Sequence, residues 1–275
     1  MTPATRITAT ILGCGSSGGV PRIGNEWGAC DPKNPKNRRR RCALLVRGTR
    51  DGADGETTVL IDTGCDIREQ LLGENVRHLD AVFYTHEHAD HTHGIDDLRV
   101  LALTSGERVN VYYSRAAEAR ILGAFGYCFT APPGSEYPPI LNAHYVEAGE
   151  TVAVDGPGGR VEMQALLQQH GPITTLGYRF GGIAYSCDLN GLTDDSIRAL
   201  AGLDVWIVDA LRDRPHPSHW SLSETLGWIE RIAPRRAVLT NMHIDLDYAT
   251  VMAATPHHVE PAFDGLKLET KARAA

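Results

Sequence analysis

Short apolar runs broken by turn residues set the rhythm of this chain. RITATILG alternates hydrophobic and polar positions as a strand does, then empties into the glycine-serine stretch GCGSSGGVP. CALLVRG and TTVLIDTG predict two further strands, joined by the Asp/Gly turn TRDGADGE. DIREQLLGENV has the spacing of a modest amphipathic helix, and LDAVFYT returns to strand. GIDDLRVLALTSG puts Ile95, Leu98 and Leu101 at helical spacing, RVNVYYS reads as a strand and RAAEARILGAFG as a helix. The second half repeats the logic. VEMQALLQQ, LGYRFGGIAYSCD, DVWIVDA and RRAVLTNMH predict strands, while TDDSIRALAG and SLSETLGWIERIA predict helices. The last of these opens on a Ser221/Glu224 capping-box pattern. APPGSEYPPI is the most loop-like segment. Hairpins with interleaved helices in both halves predict two packed sheets with helices outside, in one domain spanning residues 1–275.

Composition narrows the function classes. The formal charge of −7 over 275 residues argues against a broad basic face for nucleic acid, though not against a local phosphate pocket. Cys14, Cys30, Cys42, Cys65, Cys128 and Cys187 form no CxxC pair, which predicts reduced thiols in a cytoplasmic protein. The start MTPATRITATILGCG lacks the basic and long apolar regions of a secretory signal. No apolar run approaches the roughly 18 residues of a membrane span. The expectation is a soluble protein of the cytoplasm.

The chemistry concentrates in YTHEHADHTHG, residues 84–94, with four histidines and two acids directly after an apolar run. At a strand end, His86 and His88 can share one ion while Asp90 and His91 face a second. Imidazole and carboxylate without thiolate suit zinc, manganese or iron at an exchangeable site. Four residues cannot fill two coordination spheres. His170, Asp188 and His243 each punctuate a later apolar run and supply the missing metal-type ligands. Glu87 reads as solvent-facing, and His93 stays open. Trp206, Trp220 and Trp228 read as core or rim residues.

THEHADH together with those three later residues resembles the metallo-β-lactamase superfamily of hydrolases. That resemblance spans the chain from GCGSSGGVP to LTNMHIDLDY. It implies the α+β fold of that superfamily, an αββα sandwich of two mixed β-sheets flanked by helices. It also implies a dinuclear centre of Zn²⁺ or Mn²⁺. His86, His88 and His170 would hold one ion, Asp90, His91 and His243 the other, and Asp188 would bridge them. Asp62, in LIDTG, resembles the acid that orients a ligand histidine.

Within the superfamily, GSSGGVP, HADHTHGIDDLR, QHGPITTLGYRF, YSCDLNGL and HPSHWSLSETL are most similar to the phosphoribosyl cyclic phosphate phosphodiesterases, the PhnP-like branch. The branch implies a small phosphorylated substrate and a metal-bridging hydroxide attacking phosphorus. Asp90 would orient the nucleophile, and His219 would act as general acid or phosphate contact, with His216 beside it. One departure concerns the cysteines that hold an auxiliary zinc in that branch. Here PRIGNEWGACDPKNPKNRRRRC offers only Cys30 and Cys42. Arg38 to Arg41 can then be a phosphate fork or a solvated strand edge, the latter fitting such a run better. The Gly13–Gly19 loop lacks a P-loop ending and reads as a turn near the cleft.

Other readings stay open. A tRNA 3′-end endoribonuclease would need an RNA-gripping arm, and no such insertion is visible. A thioester or carboxylic ester hydrolase could use the same centre, and a non-enzymatic metal or nucleotide sensor would bind without turnover. No membrane partner is expected, and a homodimer is compatible with the superfamily.

Overall fold

A computed structural model of the chain describes residues 1–271. The first half builds one sheet from β1 (Arg6–Gly13), β2 (Ala43–Thr49), β3 (Thr57–Ile61), β4 (Ala81–Phe83), β5 (Val109–Tyr113) and β6 (Leu141–Tyr145), hydrogen-bonded in that order. The second half builds another from β7 (Thr151–Val154), β8 (Val161–His170), β9 (Ile173–Phe180), β10 (Ile183–Ser186), β11 (Gly191–Leu192), β12 (Val205–Asp209), β13 (Arg236–Thr240) and β14 (Val259–Pro261). Their order is β11-β8-β9-β10-β12-β13-β14, with β7 also paired to β8. The last strand, β15 (Lys267–Lys271), crosses back to pair antiparallel with β1. Both sheets are mixed. Antiparallel β1–β3 and β8–β10 lead into the parallel runs β3–β6 and β10, β12, β13, β14.

The period-two pattern explains how the sheets stack. In β2, Leu44 and Val46 enter the core between the sheets, while Ala43 and Leu45 face the outer cluster; β3 divides Val59 and Ile61 from Leu60 in the same way. That outer cluster takes Ile67 and Leu71 from α1 (Ile67–Gly73). Beyond α2 (Ala89–Thr92), it takes Ala102 from α3 (Arg99–Ser105) and Ala117 and Ile121 from α4 (Arg115–Phe129). The second sheet is covered by α5 (Asp194–Ala199), α6 (Leu222–Ile232) and α7 (Tyr248–Ala254), through residues such as Ile229 and Val251. The result is the αββα sandwich. Ser221 and Glu224 form the full capping box at the start of α6. Trp206 and Trp220 are buried and Trp228 stacks on Trp220, all as packing residues.

Several elements differ from the pattern-based expectation. LGYRFGGIAYSCD is two strands, because Gly181, at φ 57°, turns the chain between β9 and β10. GIDDLRVLALTSG splits into a 3-10 turn at Ile95–Leu98 and the separate α3. β6, β7, β14, β15 and α7 were not expected; their short sequences gain definition from the neighbours they pair with or pack on. Among the described residues, no helix is long and apolar enough to cross a membrane.

Candidate metal centre

The parallel strands of both sheets deliver their carboxyl ends to one edge of the sandwich, where α/β proteins commonly build their sites. Asp62 follows β3, Thr85 and His86 lie just beyond β4, and Asp188 lies just beyond β10. Asp209 ends β12, Asn241 and His243 follow β13, and His170 ends the antiparallel β8. Asp62, Asp188 and Asn241 leave the strand conformation for φ values of 66°, 53° and 58°. Asp and Asn tolerate this left-handed region, and adopting it takes each side chain out of the strand's alternation. Gly64 completes the arrangement. A Cβ there would lie 2.1 Å from the Asp90 carbonyl oxygen, so only glycine lets the HADH turn settle against β3.

Two groups of ligand atoms result. His86, His88, His170 and Asp188 each offer one atom, all within 4.8 Å of one another. Asp188 Oδ2 stands 3.7 Å from both His86 Nε2 and His170 Nε2, while its Oδ1 stands 3.5 Å from His91 Nε2. Asp90 Oδ2 also approaches His91 Nε2, at 3.5 Å. The two oxygens of Asp188 are therefore divided between the two groups. Asn241 Nδ2 donates to Oδ1 at 2.9 Å, and the Cys187 thiol donates to it at 3.0 Å. Burial pushes the Cys187 thiol well up, so it stays protonated and supports Asp188 as a donor.

Buried hydrogen bonds set which nitrogen each imidazole presents. Asp62 Oδ2 accepts from His91 Nδ1 at 2.7 Å and from Thr85 Oγ1 at 2.9 Å, while its Oδ1 accepts from Thr85 N at 2.8 Å. With its proton committed to Asp62, Thr85 Oγ1 accepts from His86 Nδ1 at 3.0 Å. His170 Nδ1 donates to the Ser218 carbonyl at 2.7 Å. His86 and His170 thus turn an Nε2 lone pair toward the cluster, and His91 turns its Nε2 there as well. Burial holds His86 well below its ordinary pKa and lowers His170 too, keeping both neutral.

His91 is the exception. Burial opposes its protonation, but Asp188, Asp62 and Asp90 raise its pKa well above the ordinary value. Its buried Nε2 nevertheless has no hydrogen-bond partner. Neutral imidazoles, a strong field of buried carboxylates and an unpartnered ring nitrogen together fit divalent ions with oxygen and nitrogen donors.

His243 stands apart from both groups. It lines the same cavity, but its Nε2 is in contact with Arg22 Nη2, and its Nδ1 lies 3.2 Å from Asp245. His219 Nδ1 bonds Asp209 Oδ2 at 2.8 Å and its ring lies 4.6 Å from that of His170. Burial lowers the His219 pKa, but the Asp209 carboxylate outweighs it and brings the value up to about 9. Asp209 was missed from the sequence, although it closes the apolar run VWIVD just as Asp188 closes AYSCD. His216 lines the cavity beside His219, His93 is exposed against Phe125, and Glu87 is half-buried rather than solvent-facing.

The cavity over these groups has a volume of about 310 Å³. Ser16 and Ser17 of the glycine loop reach it, whereas Arg38 to Arg41 do not line it. Neither a phosphate fork nor a solvated edge describes Arg39 to Arg41, while Arg38 is exposed. Arg39 is 2% exposed and donates to the Leu246 carbonyl at 2.7 Å and the His243 carbonyl at 3.3 Å. Arg40 pairs with Asp264, Arg41 with Asp66, and Arg38 lies over Trp27. Cys30 and Cys42 belong to separate apolar clusters.

The family model for the beta-lactamase superfamily domain matches residues 57–244, from β3 through the loop that carries His243. The chain belongs to the beta-lactamase superfamily. Among solved structures of this superfamily, a diphosphatase from the PhnP family superposes with a TM-score of 0.86 at 35% identity, covering 97% of this chain and 98% of that one. The likeness supports the PhnP-like branch. The metallo-β-lactamase fold protein YhfI from Bacillus subtilis shares the fold at 16% identity and a TM-score of 0.69, with 96% and 100% of the two chains covered. An octanoyltransferase from Porphyromonas gingivalis is 29% identical over 94% of this chain, but the chain spans only 50% of that protein's length.

Proposed function

We propose that this superfamily member is a metal-dependent phosphodiesterase acting on a small phosphorylated substrate. The observation that carries the reading is the division of Asp188's two oxygens between two histidine groups, beside the His219–Asp209 pair. In this reading His86, His88 and His170 would hold one zinc or manganese ion, and Asp90, His91 and His243 would hold the other, with Asp188 offering an oxygen to each group. Bound there, such ions supply Lewis acidity and an acidified water.

The chain's own residues do the rest. Asp62 and Thr85 keep His91 and His86 in the ligating tautomer, and Ser218 does so for His170. Asp90 orients the attacking oxygen. His219, kept protonated by Asp209, gives its proton to the departing oxygen. The diphosphatase of the PhnP family supports attack at phosphorus. The free thiols of Cys14, Cys42 and Cys187 support a cytoplasmic setting.

The test is a hydrolysis screen after chelation and reloading with zinc or manganese. Its panel holds cyclic phosphates, linear diesters, an octanoyl thioester and short RNA. Metal-dependent turnover of bis(p-nitrophenyl) phosphate is expected, abolished in His88→Ala and Asp188→Ala. Full activity in either variant, or turnover of the thioester alone, would overturn the assignment. For His219→Ala, the loss should reach about 100- to 10,000-fold with a poor alkoxide leaving group. It should be much smaller with p-nitrophenolate, which departs without a proton. Equal losses on both esters would remove His219 from the acid role.

A further inference from the structure

Arg39 is a buried cation without a counter-ion. Its neighbours Arg40 and Arg41 pair with Asp264 and Asp66, but no carboxylate pairs with Arg39 among the described residues. Its fork is directed instead at neutral acceptors. Nη1 donates to the His243 carbonyl at 3.3 Å, and Nη2 to the Leu246 carbonyl at 2.7 Å and to Asn37 Oδ1 at 3.2 Å. Asn37 in turn donates to Asp247 at 2.6 Å and accepts from the Tyr248 amide at 2.8 Å, so the network reaches a carboxylate through that amide. Desolvating a guanidinium is costly, and what this one gains is geometry: planar donors that bridge the two ends of the His243–Leu246 turn.

Arg39 joins two segments that bound the cavity. Its main chain exchanges both hydrogen bonds with Val20, at 2.9 Å each, two residues before the cavity-lining Arg22. Its side chain holds the loop of His243, which also lines the cavity. Ala29 N donates to the Ile244 carbonyl at 2.9 Å, and a Cβ at Gly28 would lie 2.6 Å from that same oxygen, so residues 28–30 sit directly on the loop. The resemblance to the PhnP-like branch implies an auxiliary zinc in this stretch, and the residues here do not fit one. A structural zinc takes four ligands, with sulfur at about 2.3 Å. No group of three metal-type ligands among the described residues includes Cys30. Its thiol points at the Ile244 and Leu246 carbonyls, 3.5 Å from each, and packs with Val20 and Ile244. Arg39 Nη1 stands 3.9 Å from that sulfur, where its charge would repel a metal cation.

We propose that the Arg39 fork is a metal-free clasp that positions His243 for the candidate second ion. The proposal rests on the reading of His243 as a metal ligand. Metal content tests its first half. Zinc-loaded wild type should hold about two ions per chain, with nitrogen and oxygen but no sulfur ligand in X-ray absorption, and Cys30→Ser should match it. A further zinc whose sulfur signal disappears in Cys30→Ser would overturn the clasp. The affinity of each ion, from stepwise competition against a chromophoric chelator, tests the other half. His243→Ala identifies the step that His243 serves. Arg39→Ala should weaken that same step by about 10- to 100-fold and leave the other unchanged. Arg39→Lys, whose single ammonium cannot bridge both carbonyls, should fall between the two. Guanidinium ion, added below the concentrations that unfold the protein, should restore part of the affinity of Arg39→Ala.

Loss of stability is separated from loss of position by Ile229→Ala, a truncation of the buried face of α6 with a stability cost in the same range. It should leave both steps as in wild type. A folded Arg39→Ala protein that binds both ions as wild type does, or an Ile229→Ala protein that weakens the His243 step equally, would overturn the positioning role. If His243→Ala weakens neither step, the ligand reading fails, and amide exchange in the metal-free protein decides the clasp alone. The Leu246 amide, 3.1 Å from the His243 carbonyl, should then exchange about 10-fold or more faster in Arg39→Ala and keep its wild-type rate in Ile229→Ala. Equal rates in the two variants would refute the clasp.

Discussion

Asp62→Asn is the sharpest probe of the buried network, because it preserves size and removes one charge. The Thr85 amide donates to Oδ1 at 2.8 Å and demands an oxygen there, so the new Nδ2 must take the position of Oδ2. That position faces Thr85 Oγ1 at 2.9 Å and His91 Nδ1 at 2.7 Å. An amide nitrogen donates where the carboxylate accepted. His91 must then shift its proton to Nε2, and Thr85 Oγ1 must turn its own proton toward His86 Nδ1, 3.0 Å away. Both rings would present an N–H, not a lone pair, to the ligand cluster. The bonds are reversed rather than lost, so stability should change by about 1 kcal/mol or less. Metal affinity should fall by about 10- to 100-fold, which is about 1.4–2.8 kcal/mol. Competition against a chromophoric chelator measures the affinity, and ¹⁵N chemical shifts of the imidazoles report the tautomers. A folded Asp62→Asn protein that binds zinc as tightly as wild type, with His91 still protonated on Nδ1, would refute the reasoning.

Two further predictions concern the loop that carries His243. Arg39→Ala leaves the carbonyls of His243 and Leu246 and the Asn37 side chain without their donor, so chemical denaturation should show a loss of roughly 3 kcal/mol. Asp247 caps α7 through Thr250 N at 2.9 Å and accepts from Asn37 at 2.6 Å. Partial burial would raise its pKa, but these bonds outweigh that and bring it down to about 2. A folded pKa below the unfolded value gives stability that is present above about pH 4 and is lost as pH falls toward 2. Asp247→Ala should therefore cost about 1 kcal/mol at neutral pH, and urea midpoints of the two proteins should converge across that acid window. A gap unchanged down to that pH would show that the carboxylate's charge is not what stabilises the cap.

Local pattern carried much of this protein. His86, His88, Asp90 and His91 are legible because a strand followed by a short turn brings residues only a few positions apart into one region, whatever the rest of the chain does. His170 and Asp188 are legible as ligand-type residues ending apolar runs, and the alternation of β2 and β3 already separates an inner from an outer face. Arg39 to Arg41 mislead for the converse reason. A run of cations looks solvated or catalytic until Asp264, Asp66 and a pair of backbone carbonyls reach it from distant segments.

By itself, then, the sequence determined the strand-and-helix content of most of the chain, the nature of the donor atoms and four residues of the candidate centre. Tertiary structure alone decided that Asp188 divides its oxygens between two groups, that Asp209 stands behind His219, and that Arg22 comes against His243 across 221 positions of sequence. The physical reason is that secondary-structure periodicity acts over a few residues. Which strand ends and loops meet is set by how two whole sheets pack, and that follows from burying their inner faces together.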